Sequence, residues 1–173
     1  MPSKRELDNG TARMPRTLEA KKAPDCDTLT GRFVALERID EARHAAGFER
    51  HLCGPSNASL WDYIPFGPPS DAARLMGVLR GTEESLGWIA FAIRDLASDE
   101  VTGTLSLMRV RPEHGSAEVG CVVFGQKLQR TRAATEAVYL LARHLFDTHR
   151  HDCQRREPRH RLVRHDRRGL GEA

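Results

Sequence analysis

The sequence predicts an α/β domain of the α+β type, a mostly antiparallel sheet flanked by helices. Three observations predict it. The elements read in the order strand, helix, helix, strand, strand, strand, helix. Two of the strands, Leu86–Asp95 and Glu100–Val110, are separated only by residues 96–99, which is a hairpin pattern. An apolar run, Ala117–Phe124, then leads through a short polar turn into an amphipathic helix.

Each element has its own local reason. In Gly31–Ile39, Phe33, Ala35 and Glu37 alternate with Val34, Leu36 and Arg38, which is strand periodicity, and Val34, Leu36 and Ile39 are core candidates. Asp40 is placed to cap a helix that runs to about Leu52. Residues 53–69 are rich in Pro, Gly, Ser and Asn and read as a loop holding Trp61, Tyr63 and Phe66. Ser70 or Asp71 caps a second helix to about Arg80. After the hairpin, residues 111–116 form a turn. Ala117–Phe124 ends apolar on both faces, as a central strand does. The last helix, Ala133–Asp147, presents Ala137, Val138, Leu140, Leu141, Leu145 and Phe146 as a broad core face. No internal repeat is visible.

The basic balance belongs to the ends of the chain. Residues 1–24 carry 6 Lys/Arg and 3 Asp/Glu, residues 25–148 carry 13 and 17, and residues 149–173 carry 8 and 4. The middle is thus mildly acidic, and the overall +3 is poor evidence for a nucleic-acid partner. Cys26, Cys53, Cys121 and Cys153 have neither C-x-x-C nor zinc spacing and read as free thiols of a reducing, cytoplasmic setting. No apolar stretch reaches membrane-span length, and the start lacks a signal-peptide apolar core. Residues 1–27 are polar and aperiodic and read as a disordered tail, or as extra residues before the true start. Residues 149–173 hold eight arginines and four histidines with only Leu162, Val163 and Leu170 as aliphatics. His149, His151, His160 and His165 have no evident scaffold, so no metal site is expected there.

The chemistry concentrates in residues 125–146, GQKLQRTRAATEAVYLLARHLF. The first N–H groups of a helix lack internal partners, and the dipole places partial positive charge there, so the junction suits an anion. Arg130 and Arg132 add charge, Ala133 and Ala134 let backbone approach closely, and Thr135 is a candidate cap or phosphate ligand. Glu136 falls in the first turn, where a carboxylate suits the dipole.

This strand, loop and helix resemble the acetyl-coenzyme A site of the GCN5-related N-acetyltransferase (GNAT) superfamily. Gln129, Arg130, Thr131, Arg132, Ala133 and Ala134 fill the six positions of its loop, with Arg132 standing where that family usually has glycine. Residues 134–137, ATEA, are similar to the helix start of the RimJ/RimL-like branch. LTGRFVALERID, LWDYIPFGPP, EVTGTLSLMRV and HGSAEVGCVVF resemble further parts of that branch in the right order, so the resemblance covers residues 28–148. It implies acetyl transfer from acetyl-coenzyme A to a primary amine, a protein N-terminus or a small molecule, with no metal. It implies that Val122, Val123 and Phe124 lie along the pantetheine arm, with an N–H near Val122 polarising the thioester carbonyl. Residues 130–135 would hold the pyrophosphate, Glu118 would be the base, and Trp61 and Tyr63 would wall the acceptor pocket.

Other readings stand beside these. Arg130 and Arg132 also read as a solvated basic turn. Glu118 also reads as an exposed strand carboxylate paired with an arginine, and Trp61, Tyr63 and Phe66 as loop packing. Family members continue past this helix with further strands and a helix carrying an asparagine and a tyrosine. Residues 149–173 offer neither. The expectation is therefore a domain lacking its C-terminal strands and helix, with a frame-shifted or aberrant tail and weak or absent catalysis. An unpaired edge, open to homo-dimer or edge-strand association, would result. The alternatives are a non-catalytic remnant binding coenzyme A or a protein partner, and nucleic-acid binding through the basic tails.

Overall fold

The computed structural model describes residues 26–111, 114 and 116–155, with side chains described through residue 148. The expected N-terminal tail up to residue 25 and residues 156–173 lie outside the described residues, as do the side chains of all four C-terminal histidines.

Strands β1 (Thr28–Thr30), β2 (Val34–Arg38), β3 (Ile89–Asp95), β4 (Val101–Arg111) and β5 (Ser116–Phe124) form one sheet in sequence order. Every neighbouring pair is antiparallel. Helix α1 (Glu41–Leu52), a 3-10 turn (Pro55–Trp61) and helix α2 (Ala72–Leu86) precede β3, and helix α3 (Arg132–Arg155) follows β5. The caps are those the sequence pointed to. Asp40 accepts from Arg43 N at 2.9 Å, and Asp71 accepts from Arg74 N at 2.8 Å.

Helices cover both faces of the sheet. On one face Val34, Leu36, Phe91, Ile93, Leu105 and Leu107 pack against Ala137, Leu141 and Leu145 of α3. On the other, Ala90, Ala92, Val101 and Val123 pack against Phe48 and Leu52 of α1, Trp61, and Leu75, Met76 and Leu79 of α2. Adjacent strand residues alternate between the two layers because strand side chains alternate.

Four boundaries differ from the sequence expectation. The first strand starts later than expected, at Val34, behind a turn at residues 31–33, and a further strand, β1, precedes that turn. A 3-10 turn forms inside the expected loop. Helix α2 continues to Leu86, where left-handed Gly87 ends it, so β3 starts at Ile89. Helix α3 continues past Asp147 to Arg155.

That turn has a specific cause. The Glu136 carboxylate on α3 accepts three consecutive backbone N–H groups, from Arg32 at 2.8 Å, Phe33 at 2.6 Å and Val34 at 3.0 Å. A side chain on Gly31 would lie 2.5 Å from the Glu136 carboxyl carbon, so only glycine admits this clamp. Burial works against the Glu136 charge, but the three N–H groups outweigh it and hold the carboxyl below its ordinary value.

A second buried carboxylate organises the α1 side. Glu37 is 2% exposed. Arg94 donates to its Oε1 through Nε at 3.0 Å and Nη2 at 2.8 Å. Arg43 Nη2 donates to Oε2 at 2.9 Å, and His44 Nε2 lies 3.0 Å from the same oxygen. The Asp40 N–H donates to His44 Nδ1 at 3.0 Å, so the ring hydrogen sits on Nε2 and points at Glu37. Burial raises the Glu37 pKa, but Arg94 and His44 more than reverse this, leaving it below its usual range.

Glu136→Ala is expected to cost about 2–4 kcal/mol by stranding three N–H groups. Gly31→Ala should cost a similar amount alone and under about 1 kcal/mol in the Glu136→Ala background, because both changes break one contact. Urea unfolding of the four-member cycle checks this, and additive losses would refute the clamp. Glu136 and Glu37 both have lowered folded-state values. Their stabilisation is therefore complete above the unfolded value of 4.5 and is lost as pH falls below it. Melting temperature followed from pH 6 to about pH 3 should decline less steeply for Glu136→Gln than for the parent chain.

Candidate functional site

The junction between β5 and α3 is pinned from below. Gly125 N donates to Thr102 O at 2.9 Å, and Leu128 N donates back to Gly125 O at 2.8 Å, which closes a tight turn. Leu128 is 2% exposed and enters the α3-face core. It fits because Gly103 lies beneath it. A Cβ there would come within 2.8 Å of Leu128 Cδ2 and 2.9 Å of Val123 O. With Leu128 seated, Gln126, Lys127, Gln129 and Arg130 are turned outward.

Three further contacts shape the loop. Gln129 Nε2 donates to Phe124 O at 3.0 Å, across the turn. Arg130 adopts φ 61, the left-handed region that favours glycine. Thr131 caps α3, its Oγ1 accepting from Ala134 N at 3.1 Å and donating to Leu128 O at 2.6 Å. The cap is therefore Thr131 and not Thr135, whose Oγ1 donates back to Thr131 O at 3.5 Å from the exposed first turn. Nor does Glu136 face the junction, since its carboxylate is committed to the β1–β2 turn.

A pocket of about 810 Å3 opens along this junction. Phe124, Gln129, Arg130 and Thr131 form its lower end. Its wall is the α3 face carrying Ala134, Thr135, Val138 and Tyr139. One end is thus polar and cationic, and the wall is largely apolar. Six of the residues expected from the sequence meet here. Arg132 and Ala133 do not; they line a separate cavity of about 430 Å3 with Arg32, Phe33 and residues 95–97. Arg130 and Arg132 therefore serve opposite sides of the loop. As the first two helical residues, Arg132 and Ala133 have N–H groups with no partner inside the helix.

The middle of β5 is irregular. Thr104 pairs with Val123, but Ser106 pairs with Gly120, so three steps on β5 oppose two on β4. The extra residue is a β-bulge at Cys121–Val122, with Cys121 at φ 47. A bulge leaves backbone polar groups out of the ladder, here beside Val122. Val122 is half-buried, while Val123 is fully packed against the α1-side core. Burial raises the Cys121 thiol above its ordinary value.

Glu118, three residues before the bulge, is exposed and pairs with Arg109 Nη1 at 2.8 Å. Trp61 is 3% exposed, sits in the α1–α2 core, and donates its indole N–H to Leu52 O at 2.8 Å. Tyr63 is 98% exposed. These two are not brought together with the β5–α3 pocket. Among the described residues no group of three or more metal-ligating side chains occurs, and no helix is long and apolar enough to cross a membrane.

Val138 and Phe146, expected on the core face of α3, are exposed, and Val138 lines the pocket instead with Tyr139. Sequence reasoning missed Tyr139, although i, i+4 spacing from Ala134 and Thr135 puts Val138 and Tyr139 on one helix face. It also missed the bulge, for which Gly120 inside an apolar run was the available signal. Finally it missed Glu100, which receives Lys127 Nζ of the loop at 3.0 Å and also pairs with Arg50. Lys127 and then Arg50 draw the Glu100 carboxyl down to about 2.

A family model described as an acetyltransferase (GNAT) domain matches residues 34–163. Among solved structures, a GCN5-related N-acetyltransferase from Brucella melitensis is 28% identical at a TM-score of 0.66, the match covering 74% of this chain and 58% of that one. The chain therefore spans less than two thirds of that relative's length. A probable acetyltransferase (GNAT family) from Chromobacterium violaceum ATCC 12472 is 32% identical at a TM-score of 0.64, covering 85% of this chain and 69% of that one. The acetyltransferase (GNAT family) from Bacillus anthracis, 15% identical at a TM-score of 0.52 over 71% of this chain and 68% of that one, shares the fold. None of the curated proteins matches the chain.

Arg130→Gly should relieve the left-handed backbone and raise stability by about 1 kcal/mol. Thr131→Ala should remove the cap and lower it by about 1 kcal/mol. Thr135→Ala should lie within about 0.5 kcal/mol of the parent. Equilibrium denaturation of the three variants distinguishes this capping scheme from one centred on Thr135.

Proposed function

Because the chain belongs to the GNAT acetyltransferase family, we propose that its β5–α3 pocket takes acetyl-coenzyme A and that the acetyl group passes to a primary amine. A RimJ/RimL-like acceptor, a protein N-terminus or a small molecule, is the reading favoured by the resemblance of residues 28–148. The observation that carries the proposal is the pocket itself. It combines a capped helix N-terminus and Arg130 at one end with an apolar wall along α3. That pairing suits a pyrophosphate joined to a largely apolar arm.

In this reading Gln129, Arg130 and Thr131 border the pyrophosphate, with Ala134 and Thr135 beside it. Arg132 and Ala133 contribute backbone N–H groups from the far side of the loop. Val122, Val123 and Phe124 guide the pantetheine arm by their strand backbone. An N–H freed by the bulge near Val122 stabilises the carbonyl oxygen as negative charge develops there. The neutral amine attacks the thioester carbon, the C–N bond forms, the C–S bond breaks, and coenzyme A leaves as a thiolate that takes up a proton. Glu118 is the proposed base for the amine proton, acting through water, which requires it to exchange Arg109 for the acceptor. Tyr63 would wall the acceptor while Trp61 holds its loop to α1.

A second reading has its own support. Among the described residues no strand pairs with the outer side of β5, and Glu118 is already ion-paired. Both favour a chain that binds coenzyme A, or a partner along that edge, without turning it over.

Calorimetric titration of acetyl-coenzyme A into the chain tests the site. The double change Arg130→Ala with Arg132→Ala should weaken binding at least about tenfold, since a charge-assisted hydrogen bond contributes about 1.5–3 kcal/mol. No binding by a folded sample, or binding indifferent to both changes, would remove the proposal. Thiol release with amine acceptors separates the two readings. Turnover that falls about 100-fold in Glu118→Gln supports the enzyme, and binding without turnover supports the second reading.

A further inference from the structure

A third cavity lies on the opposite face of the sheet. It is a crevice of about 560 Å3 between α1 and the β3–β4 turn, and its floor is Gly47 against Val101. A Cβ on Gly47 would lie 2.6 Å from Val101 Cβ and 2.8 Å from Val101 O, so helix and strand meet without a spacer. Arg43 and Arg50 stand on either side of Gly47, near i−4 and i+3 on one helix face. The buried pair of Glu37 and His44 closes one end, and Glu100 borders the other.

A donor and acceptor inventory defines what fits. Both Glu37 oxygens are taken, Oε1 by Arg94 twice and Oε2 by Arg43 and His44. Glu100 is taken by Arg50 at Oε1 and Lys127 at Oε2. Asp99 accepts from Arg94 Nη1 at 2.6 Å. The guanidinium groups are far from satisfied. Each carries five N–H donors, and Arg43 and Arg50 each spend one nitrogen on a carboxylate. Their side chains are 60% and 66% exposed, so the remaining donors are accessible. The crevice is thus richer in uncommitted donors than in open acceptors, of which Asp99 keeps one oxygen.

We propose that this crevice is an accessory oxyanion site, in which Arg43 and Arg50 clasp a phosphate or carboxylate group above Gly47. The ligand is anionic because the uncommitted donors of Arg43 and Arg50 outnumber the open acceptors, Glu37 and Glu100 having both oxygens engaged and Asp99 one. Binding there is separate from the β5–α3 pocket and does not depend on its function. Glu100 stands between the two, touching Arg50 on one side and Lys127 of the loop on the other.

Inorganic phosphate, titrated into 15N-labelled full-length chain at constant ionic strength, is the test, with acetate as a parallel titrant. Phosphate is expected to shift the amides of residues 43–50 saturably. Arg43→Ala with Arg50→Ala should weaken this at least about tenfold, and Arg130→Ala should leave it unchanged. If the double variant loses its dispersed spectrum, Arg50→Gln alone keeps the Glu37 cluster whole and should still weaken binding about threefold. Tighter phosphate than acetate identifies a phosphoryl group, and the reverse a carboxyl group. Shifts confined to residues 130–135, shifts that never saturate, or shifts untouched by the Arg50 change would overturn the proposal.

Discussion

One carboxylate ties the two ends of the described chain together. Glu136 sits in the first turns of α3, and its three acceptor contacts fall on the turn that starts the sheet. Charged acceptors make the stronger hydrogen bonds, so this contact is worth more than an ordinary turn bond. It places the beginning of α3 over the β1–β2 hairpin, about a hundred residues away in sequence. Everything else about the β5–α3 junction is set relative to that point. The helix start cannot shift along the sheet without stranding three N–H groups.

The loop is held at its other side by Leu128. Gly103 leaves the hollow, Leu128 fills it, and the residues between and beyond are forced outward. Glu136 and Leu128 thus fix the loop from opposite directions through contacts of different kinds. One is polar and partly exposed, and the other is apolar and fully buried. Losing either should loosen the pocket without touching any group in it. That separates the residues that hold the pocket's shape from those proposed to meet a ligand. Trp61 belongs to the first group. Its indole N–H occupies a C-terminal carbonyl of α1, and its ring fills the core beside Leu52.

Elements whose pattern is local were legible in the sequence. Asp40 and Asp71 cap the helices expected of them, and the β3–β4 hairpin and the β5–α3 junction lie where alternation and composition placed them. The GNAT fold followed from several weak segments standing in the right order. What escaped was set by contacts distant in sequence. Nothing near Gly31 announces that a carboxylate on α3 will hold a turn there and delay the strand to Val34. Glu136 looked like a dipole-matched residue because position alone cannot show which way a side chain turns. Glu118 has the exposed arginine pair that its strand position equally allowed, and Arg132 lines a different cavity from Arg130 although only Thr131 separates them. A one-residue bulge at Cys121 changes which backbone groups are free, and no periodicity encodes it.

The left-handed residue in the loop brings these points together. Such a conformation is ordinarily given to glycine, yet Arg130 holds it at φ 61. The cost is on the order of 1 kcal/mol. Packing does not recover it, since Arg130 is exposed, and the Leu128 plug and the Thr131 cap would accept a glycine as readily. What the arginine side chain adds there is charge. It borders the pocket, at the end where the helix N-terminus also concentrates positive potential. That position suits the anion site proposed for the β5–α3 pocket. By the same reasoning Arg132, unstrained at the start of α3, carries less of the case for the pocket than its place in the motif suggested.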